Sequence, residues 1–307
     1  MAVAPYIQRQ IEQITNDAVI QKRVERKFIG AGSLITGGSD LQVGAKYYTF
    51  PVFNVQGRAA LIANNAFDVG SVDAFVSERT QNIELLYIPW SVNFTEQEHA
   101  NFAGIGSIQG YSIPIAIEAM YNRIDEMGYI GEPTVGLYGL ANNPNVATVT
   151  LPNDGTGATT EFANKTPEQV LRDLNSIAYS VSRSTLHAYN TTTIAVPPSV
   201  WDQIFNRILS ASGTTQSVLT TFRQNQEQVE GNVKIRVAPG LEWAGAGGTP
   251  LIIAYNDRSD YVKYLKTGLK RRPLHSNVEG TKSAMYCYLG AVLIKQPLSL
   301  IYVTGAA

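Results

Sequence analysis

The stretch Gly136-Leu-Tyr-Gly-Leu-Ala-Asn-Asn-Pro-Asn-Val146 stands between two helical patterns, and the order of segments around it decides the fold. On its N-terminal side, Thr95-Glu-Gln-Glu98 reads as a capping box with Thr95 as N-cap and Glu98 at N3. The helix it opens is predicted to run toward Gly128, broken near Gly104–Gly110. It restarts near Ser112, because Pro114 fits a first turn. Ile113, Ile117, Met120, Tyr121 and Ile124 form its apolar stripe, and Gly128 is its natural stop. Farther out lie two β-prone runs, 46–55 and 83–94, which carry Pro51 and Pro89. Proline removes a ladder donor, so both are predicted as edge strands. A two-stranded excursion buries little by itself and needs neighbours to cover it. Before it come a glycine-rich stretch, 30–44, and a polar helix over 5–27. The helix has one narrow stripe of Ile7, Ile11, Ile14, Ala18 and Val19, and needs something outside itself to pack on.

On the C-terminal side, a glycine-threonine loop through Gly155 and Gly157 leads to a second capping box, Thr166-Pro-Glu-Gln169, with Pro167 at N1. Its helix uses Val170, Leu174, Ile177 and Val181 and ends near His187. A strand over 192–196 passes through Pro197-Pro198 into another helix. There Trp201, Ile204, Phe205, Ile208 and Leu209 keep helical spacing. The last third reads mostly as strand, at 233–237, 251–255, 285–294 and 299–303, with a basic connection over 264–273. The fold class is α+β, with neither βαβαβ alternation nor a short internal repeat.

Charged residues make up 16% of the 307, against a usual share of about 25%. Placing much of the surface in subunit contacts would explain so small a share. The net charge of −1 hides a partition. Residues 1–60 carry seven Lys/Arg against four Asp/Glu, residues 61–164 two against twelve, and residues 165–307 fifteen against nine. Opposite-signed surfaces suit head-to-tail contacts between copies. A solvated acidic face without a partner accounts for the pattern equally well. Cys287 is the only cysteine, which excludes an intrachain disulfide and a cysteine-rich metal site. The opening residues lack the basic flank and apolar core of a signal peptide. No window holds the roughly 18 uninterrupted apolar residues that a membrane span needs.

Motifs that carry chemistry are missing from the pattern. His99, His187 and His275 stand apart from one another and from metal-type spacing, and neither a nucleophile elbow, a P-loop nor HExxH occurs. No catalytic, cofactor-binding or metal residue is therefore expected, and no cofactor. The residues singled out are subunit-interface candidates: Lys46, Tyr47 and Tyr48 in the β excursion, and Lys270, Arg271 and Arg272 in the basic connection. Tyrosine, with 16 copies, buries area at low entropy cost and keeps a polar tip. The basic run could also touch phosphates, though it has little aromatic interleaving.

Taken in order, these segments resemble the tailed-bacteriophage major capsid proteins of the Hong Kong 97-like fold. The resemblance rests on the Gly139–Val146 element after the long helix, the 255–264 stretch, and the closing strands around Pro297. It implies an N-terminal arm over 1–29, an extended β-loop over 30–94, a spine helix with peripheral domain over 95–190, an axial domain over 191–274 and a return to the peripheral domain over 275–307. It also implies a non-enzymatic subunit of an icosahedral capsid, with pentamers and hexamers in the shell. A scaffolding protein, a portal protein and a decoration protein are the implied partners, the first because only some thirty residues precede the β excursion. The shell would enclose double-stranded DNA without sequence-specific binding and without a membrane, in a virion assembled in the host cytoplasm. Lys46 would sit where some relatives crosslink; a surface lysine is the simpler reading. An encapsulin-type nanocompartment shell is the alternative that the same resemblance allows.

Overall fold

The structure is a computed structural model that describes residues 28, 33–36, 41–56, 73–102, 108–209, 216–227 and 232–306. The helix expected over 5–27 lies outside them. Strands β1 (Tyr47–Gln56), β2 (Asp73–Asn82) and β3 (Glu84–Asn93) precede helices α1 (Phe94–Phe102) and α2 (Ile108–Tyr129). A small hairpin, β4 (Gly131–Glu132) and β5 (Leu137–Tyr138), and strand β6 (Ala147–Thr150) lead to α3 (Pro167–Ser184). Then come β7 (Thr193–Val196), α4 (Pro198–Phe205), the short pair β8 (Ile208–Leu209) and β9 (Gln216–Ser217), α5 (Val218–Glu227) and β10 (Lys234–Val237). The chain closes with β11 (Ile252–Tyr255), β12 (Val262–Lys266), β13 (Lys270–Arg271), β14 (His275–Ser276), β15 (Gly280–Ile294) and β16 (Leu300–Thr304). Helix and strand alternate from β6 through α3, β7 and α4 to β8, against the expectation of no such run. But β6 and β7 are not neighbours in the sheet and β8 lies in a separate two-stranded pair, so no doubly wound parallel sheet results and the class is α+β.

The chain divides into two compact units. One is built from the described residues of Tyr87–Tyr121 and Lys270–Tyr286, the other from those of Arg26–Leu86, Asn122–Leu269 and Cys287–Ala307. The larger unit centres on a five-stranded sheet in the order β10-β7-β11-β16-β6. β7 and β11 are buried at every position, so the sheet centre is covered on both faces. Of its edges, β6 is exposed throughout and β10 is half-buried beyond its exposed Lys234. Helix α3 lays Val170, Leu174, Ile177 and Val181 into the core with Phe162, Ile204, Phe222 and the sheet's Ile194, Ile252 and Ile301. Each such side chain contributes about 1.5–3 kcal/mol relative to exposure. Thr166 caps α3 as its spacing predicts: its hydroxyl accepts from the Gln169 amide at 3.3 Å, and the Gln169 side chain accepts from the Thr166 amide at 2.8 Å. The sheet joins β6 and β16 to β7, β10 and β11, so its core draws on residues from 151 to 306.

An ion network braces the loop before α3. Lys165 Nζ lies 2.6 Å from Asp173, with both side chains fully buried, and 3.2 Å from Asp154. Arg172 joins the same two carboxylates, and the Arg172 guanidinium holds the Asp154 carboxyl below the usual carboxylate range. Arg207 donates to the carbonyls of Lys165, Phe162 and Ala163.

The Gly136–Val146 stretch closes the C-terminal end of α2. The Leu140 and Ala141 amides donate, each at 2.9 Å, to the carbonyls of Gly128 and Tyr129, which the helix itself leaves unpaired. Asn142 and Asn143 side chains accept from the Gly139 and Asn145 amides at 2.8 and 3.0 Å. Buried Tyr302 ties the turn to the C-terminal strand, accepting from the Asn143 amide and donating to the Leu140 carbonyl. The element's asparagines and glycine thus have mechanical roles.

Several expectations need correction. Helix α1 is capped by Asn93 rather than Thr95: the Asn93 side chain accepts from the Thr95 amide, and Glu96 reaches back to the Asn93 amide. Ending β3 with Asn93 sets that start two residues early. Pro114 lies inside α2, which begins at Ile108, not in a first turn. Its missing N–H leaves one helical bond unmade and is tolerated there. The buried line on α2 is Ala116, Met120, Ile124 and Met127, rotated from the expected stripe. The helix ends at Tyr129, one residue past the expected stop at Gly128; a Cβ at Gly128 would stand 2.6 Å from the Phe28 ring, and the left-handed turn comes at Gly131, φ 71°. Ile208 and Leu209 form a short strand instead of extending α4. The partner of β1 is β2, read as no element, while β3 pairs with β15. Helix α5, ahead of the expected β region, was read as no element, and the basic connection holds the end of β12 and all of β13. The strands on either side of Pro297 do not pair with each other: β15 joins β3, β12, β13 and β14, and β16 joins β11 and β6.

Candidate assembly surfaces

β1 and β2 form a ten-residue antiparallel ribbon in register from Tyr47↔Asn82 to Gln56↔Asp73. It bonds to no third strand among the described residues, and the consecutive side chains of 76–80, which alternate between its two faces, are all exposed. Lys46 and Tyr47 at its base are exposed, while Tyr48 is half-buried 6.5 Å from Phe50. Lys46 anchors through its backbone, its carbonyl accepting from the Ile83 amide at 3.0 Å. The structure thus brings Lys46, Tyr47 and Tyr48 together at the root of a ribbon too thin to bury its own faces.

Lys270 and Arg271 occupy β13, opposite Tyr286 and Met285 of β15, and both side chains are exposed. Arg272 follows with its guanidinium 5.5 Å from the Tyr87 ring and 5.7 Å from the Tyr286 ring. Its amide donates to the Ala284 carbonyl at 2.9 Å and its carbonyl accepts from Ser283 Oγ at 2.8 Å. The three basic residues therefore share one edge, and two rings position the third. Beside Arg272 lies a pocket of about 390 Å³ whose walls include Tyr87, Trp90, His275 and Lys282. Sequence reasoning missed these four residues, since they come from two segments nearly two hundred positions apart. The only signal was the alternation of Tyr87, Pro89 and Ser91 along β3. Val278, at the turn between β14 and β15, is 98% exposed.

Ser182 Oγ lies 2.6 Å from His187 Nδ1, a pairing that in another setting could activate a nucleophile. Here Ser182 is buried and donates to Asn190 Oδ1, and Leu186 and His187 both hold left-handed φ just beyond the end of α3. The contact closes a helix-terminal turn. Burial pushes the Cys287 thiol up to about 11, which keeps it protonated and unreactive. Among the described residues, no cluster of His, Cys, Asp and Glu could hold a metal ion, and no helix is long and apolar enough to cross a membrane.

A family model described as major capsid protein matches residues 57–306. No curated protein matches the chain by sequence. Among solved structures, the capsid of Myoviridae phage XM1 is similar at 17% identity with a TM-score of 0.79, covering 97% of each chain. The capsid of cyanophage P-SCSP1u is similar at 14% identity and a TM-score of 0.60, covering 96% of this chain and 92% of that one. The holo-SrpI encapsulin complex from Synechococcus elongatus PCC 7942 matches at 15% identity and a TM-score of 0.58, covering 100% of this chain and 96% of that one.

Proposed function

The chain belongs to the major capsid protein family and has the Hong Kong 97-like fold, and from that premise we propose that it builds the icosahedral shell around a tailed-phage genome. The family match over 57–306 carries this reading. Pentamers and hexamers of the chain close the shell, on a scaffolding protein and around a portal protein, with a decoration protein as an outer partner. Double-stranded DNA is enclosed by volume and charge balance without sequence readout, and assembly takes place in the host cytoplasm. The subunit acts as a building block and not as an enzyme.

In this reading the arm over 1–29 and the loop over 30–94 reach neighbouring copies. The segments 95–190, 191–274 and 275–307 supply the peripheral and axial parts, which share the sheet core. The ribbon's two exposed faces support the second role, because a neighbour would bury what the subunit leaves open. Lys46, Tyr47 and Tyr48 at its root, and Lys270, Arg271 and Arg272 on the β13 edge, are the interface residues. Sedimentation and negative-stain microscopy of the chain expressed with its scaffold test the proposal, with capsomers or closed shells as the expected result. A monomer that stays monomeric at high concentration beside its scaffold overturns it. Encapsulin shells share the fold, so particle contents separate that use: a co-purified enzyme held inside would favour a nanocompartment.

A further inference from the structure

We propose that the pocket framed by Arg272, His275 and Lys282 receives a carboxylate side chain from a second copy of this chain, drawn from the acidic stretch 61–164. This rests on the shell-subunit reading and names the partner of its basic edge.

The pocket is built for an anion. Among the described residues its walls carry the Arg272 guanidinium, the Lys282 ammonium and the His275 imidazole, and no carboxylate. His275 and Lys282 sit directly opposite each other in the β14–β15 ladder, so their side chains leave the sheet side by side. Arg272 is held in place before any ligand arrives, by its two backbone hydrogen bonds and by the Tyr87 and Tyr286 rings. An ordered guanidinium loses little rotamer freedom on pairing and offers a planar fork that matches a carboxylate. Trp90, which lines the pocket and is about nine-tenths buried, has no acceptor for its indole N–H among the described residues. Donors are in surplus here.

The shape favours a protein side chain over duplex DNA. Buried Trp90, Ser283 and Ala284 give the pocket a recessed floor. A carboxylate on a short flexible stem can reach that floor between the three exposed side chains, whereas a duplex backbone would meet only their outer ends. The same hairpin presents exposed apolar Leu274 and Val278, which suit a protein neighbour and gain nothing from a polyphosphate. Complementary charge is available on every other copy, since residues 61–164 hold twelve acidic against two basic groups. Within that stretch Glu78, Glu84 and Glu98 are exposed and make no ion pair within their own chain among the described residues.

The test uses full-length chains, light and heavy in nitrogen isotope, mixed before assembly and treated with a zero-length carbodiimide crosslinker. That reagent joins Lys282 Nζ only to a carboxylate it already touches. The expected product is a Lys282 peptide joined to an acidic peptide from 61–164, present as heavy–light pairs and lost in Lys282→Gln. Arg272→Gln should weaken the same crosslink while leaving the unfolding midpoint unchanged. Normal shells in which Lys282 joins only acids of its own chain, or none, overturn the proposal. So does Lys282 protection from amine reagents that appears only in DNA-filled shells, which would make a phosphate the occupant. Wild-type chains that never oligomerise overturn the shell reading and this pocket together, an outcome distinct from a missing crosslink in normal particles.

Discussion

A methyl group has no room at Gly139, where a Cβ would stand 2.2 Å from the Tyr129 carbonyl oxygen. That oxygen is already bonded to the Ala141 amide, so it cannot move away without unmaking the helix closure. Gly139→Ala is expected to destabilise the subunit by about 1–3 kcal/mol, measured as a lower urea midpoint with an unchanged slope. At Lys165 the loss is electrostatic. Lys165→Met leaves Asp173 buried with only the half-exposed Arg172, and breaking a buried pair costs about 3–5 kcal/mol. Lys165→Met with Asp173→Leu should recover most of that loss in the same urea titration, since no charge is then stranded. Depressed carboxylates stabilise above their unfolded pKa and lose that contribution as pH falls through the folded value, so Asp154 adds to acid sensitivity. At this scale, the capping box at Thr166 was legible because its partners are three residues apart. Tyr302 bonding to Leu140 and Asn143 was not, because no local pattern marks a partner some 160 residues away.

Among elements, the ribbon of β1 and β2 depends least on the core. Its described side chains, 47–52 and 76–82, are exposed or half-buried, and its side-chain ties at the root include the bond from Gln81 to the Gly290 carbonyl at 3.2 Å and the one from Asn82 to the Val135 carbonyl at 3.4 Å. Replacing residues 48–80 with a short glycine-serine linker, which spares both ties, is expected to leave the thermal midpoint near wild type and to abolish assembly. A deletion that unfolds the subunit would place the ribbon in its core. The ribbon also explains an omission: β2 reads Asp-Ala-Phe-Val-Ser-Glu-Arg-Thr-Gln-Asn, without alternation, because neither face of it has a core to match. The reverse error arose at α4, where apolar residues at 201, 204, 205, 208 and 209 imitate a longer helix. Phe205 and Ile208 are in fact exposed, and Arg207 between them is captured by three carbonyls before α3. Tertiary bonds overrode a correct period. Helix α3, with its stripe and cap in agreement, left no such choice and forms as expected.

Over the whole chain the informative quantity is the charge partition, a net −10 over 61–164 against +6 over 165–307. A lone subunit gains little from it, since exposed pairs contribute about 0–1 kcal/mol each. A shell repeats the same contact at every boundary, so a fraction of a kcal/mol per pair becomes decisive for closure. Order of segments and charge were legible in sequence because both survive averaging over residues. The joining of β6 and β16 to sheet strands that lie between them in the chain was not, because only strand pairing reveals it. The charge argument makes a graded prediction for Lys270, Arg271 and Arg272 changed together to Glu. If the basic edge meets acidic neighbours, the variant assembles slowly at low salt. The deficit then shrinks as salt rises, because screening at about 0.1 M acts over a Debye length of about 10 Å and weakens the new repulsion. If the edge meets DNA instead, empty shells form at normal yield and genome packaging falls. A solvated edge predicts normal shells that package normally. Assembly yield measured against salt, with and without DNA, separates the three, and the first outcome is the one expected from a cationic strand edge on a chain whose middle third carries the opposite sign.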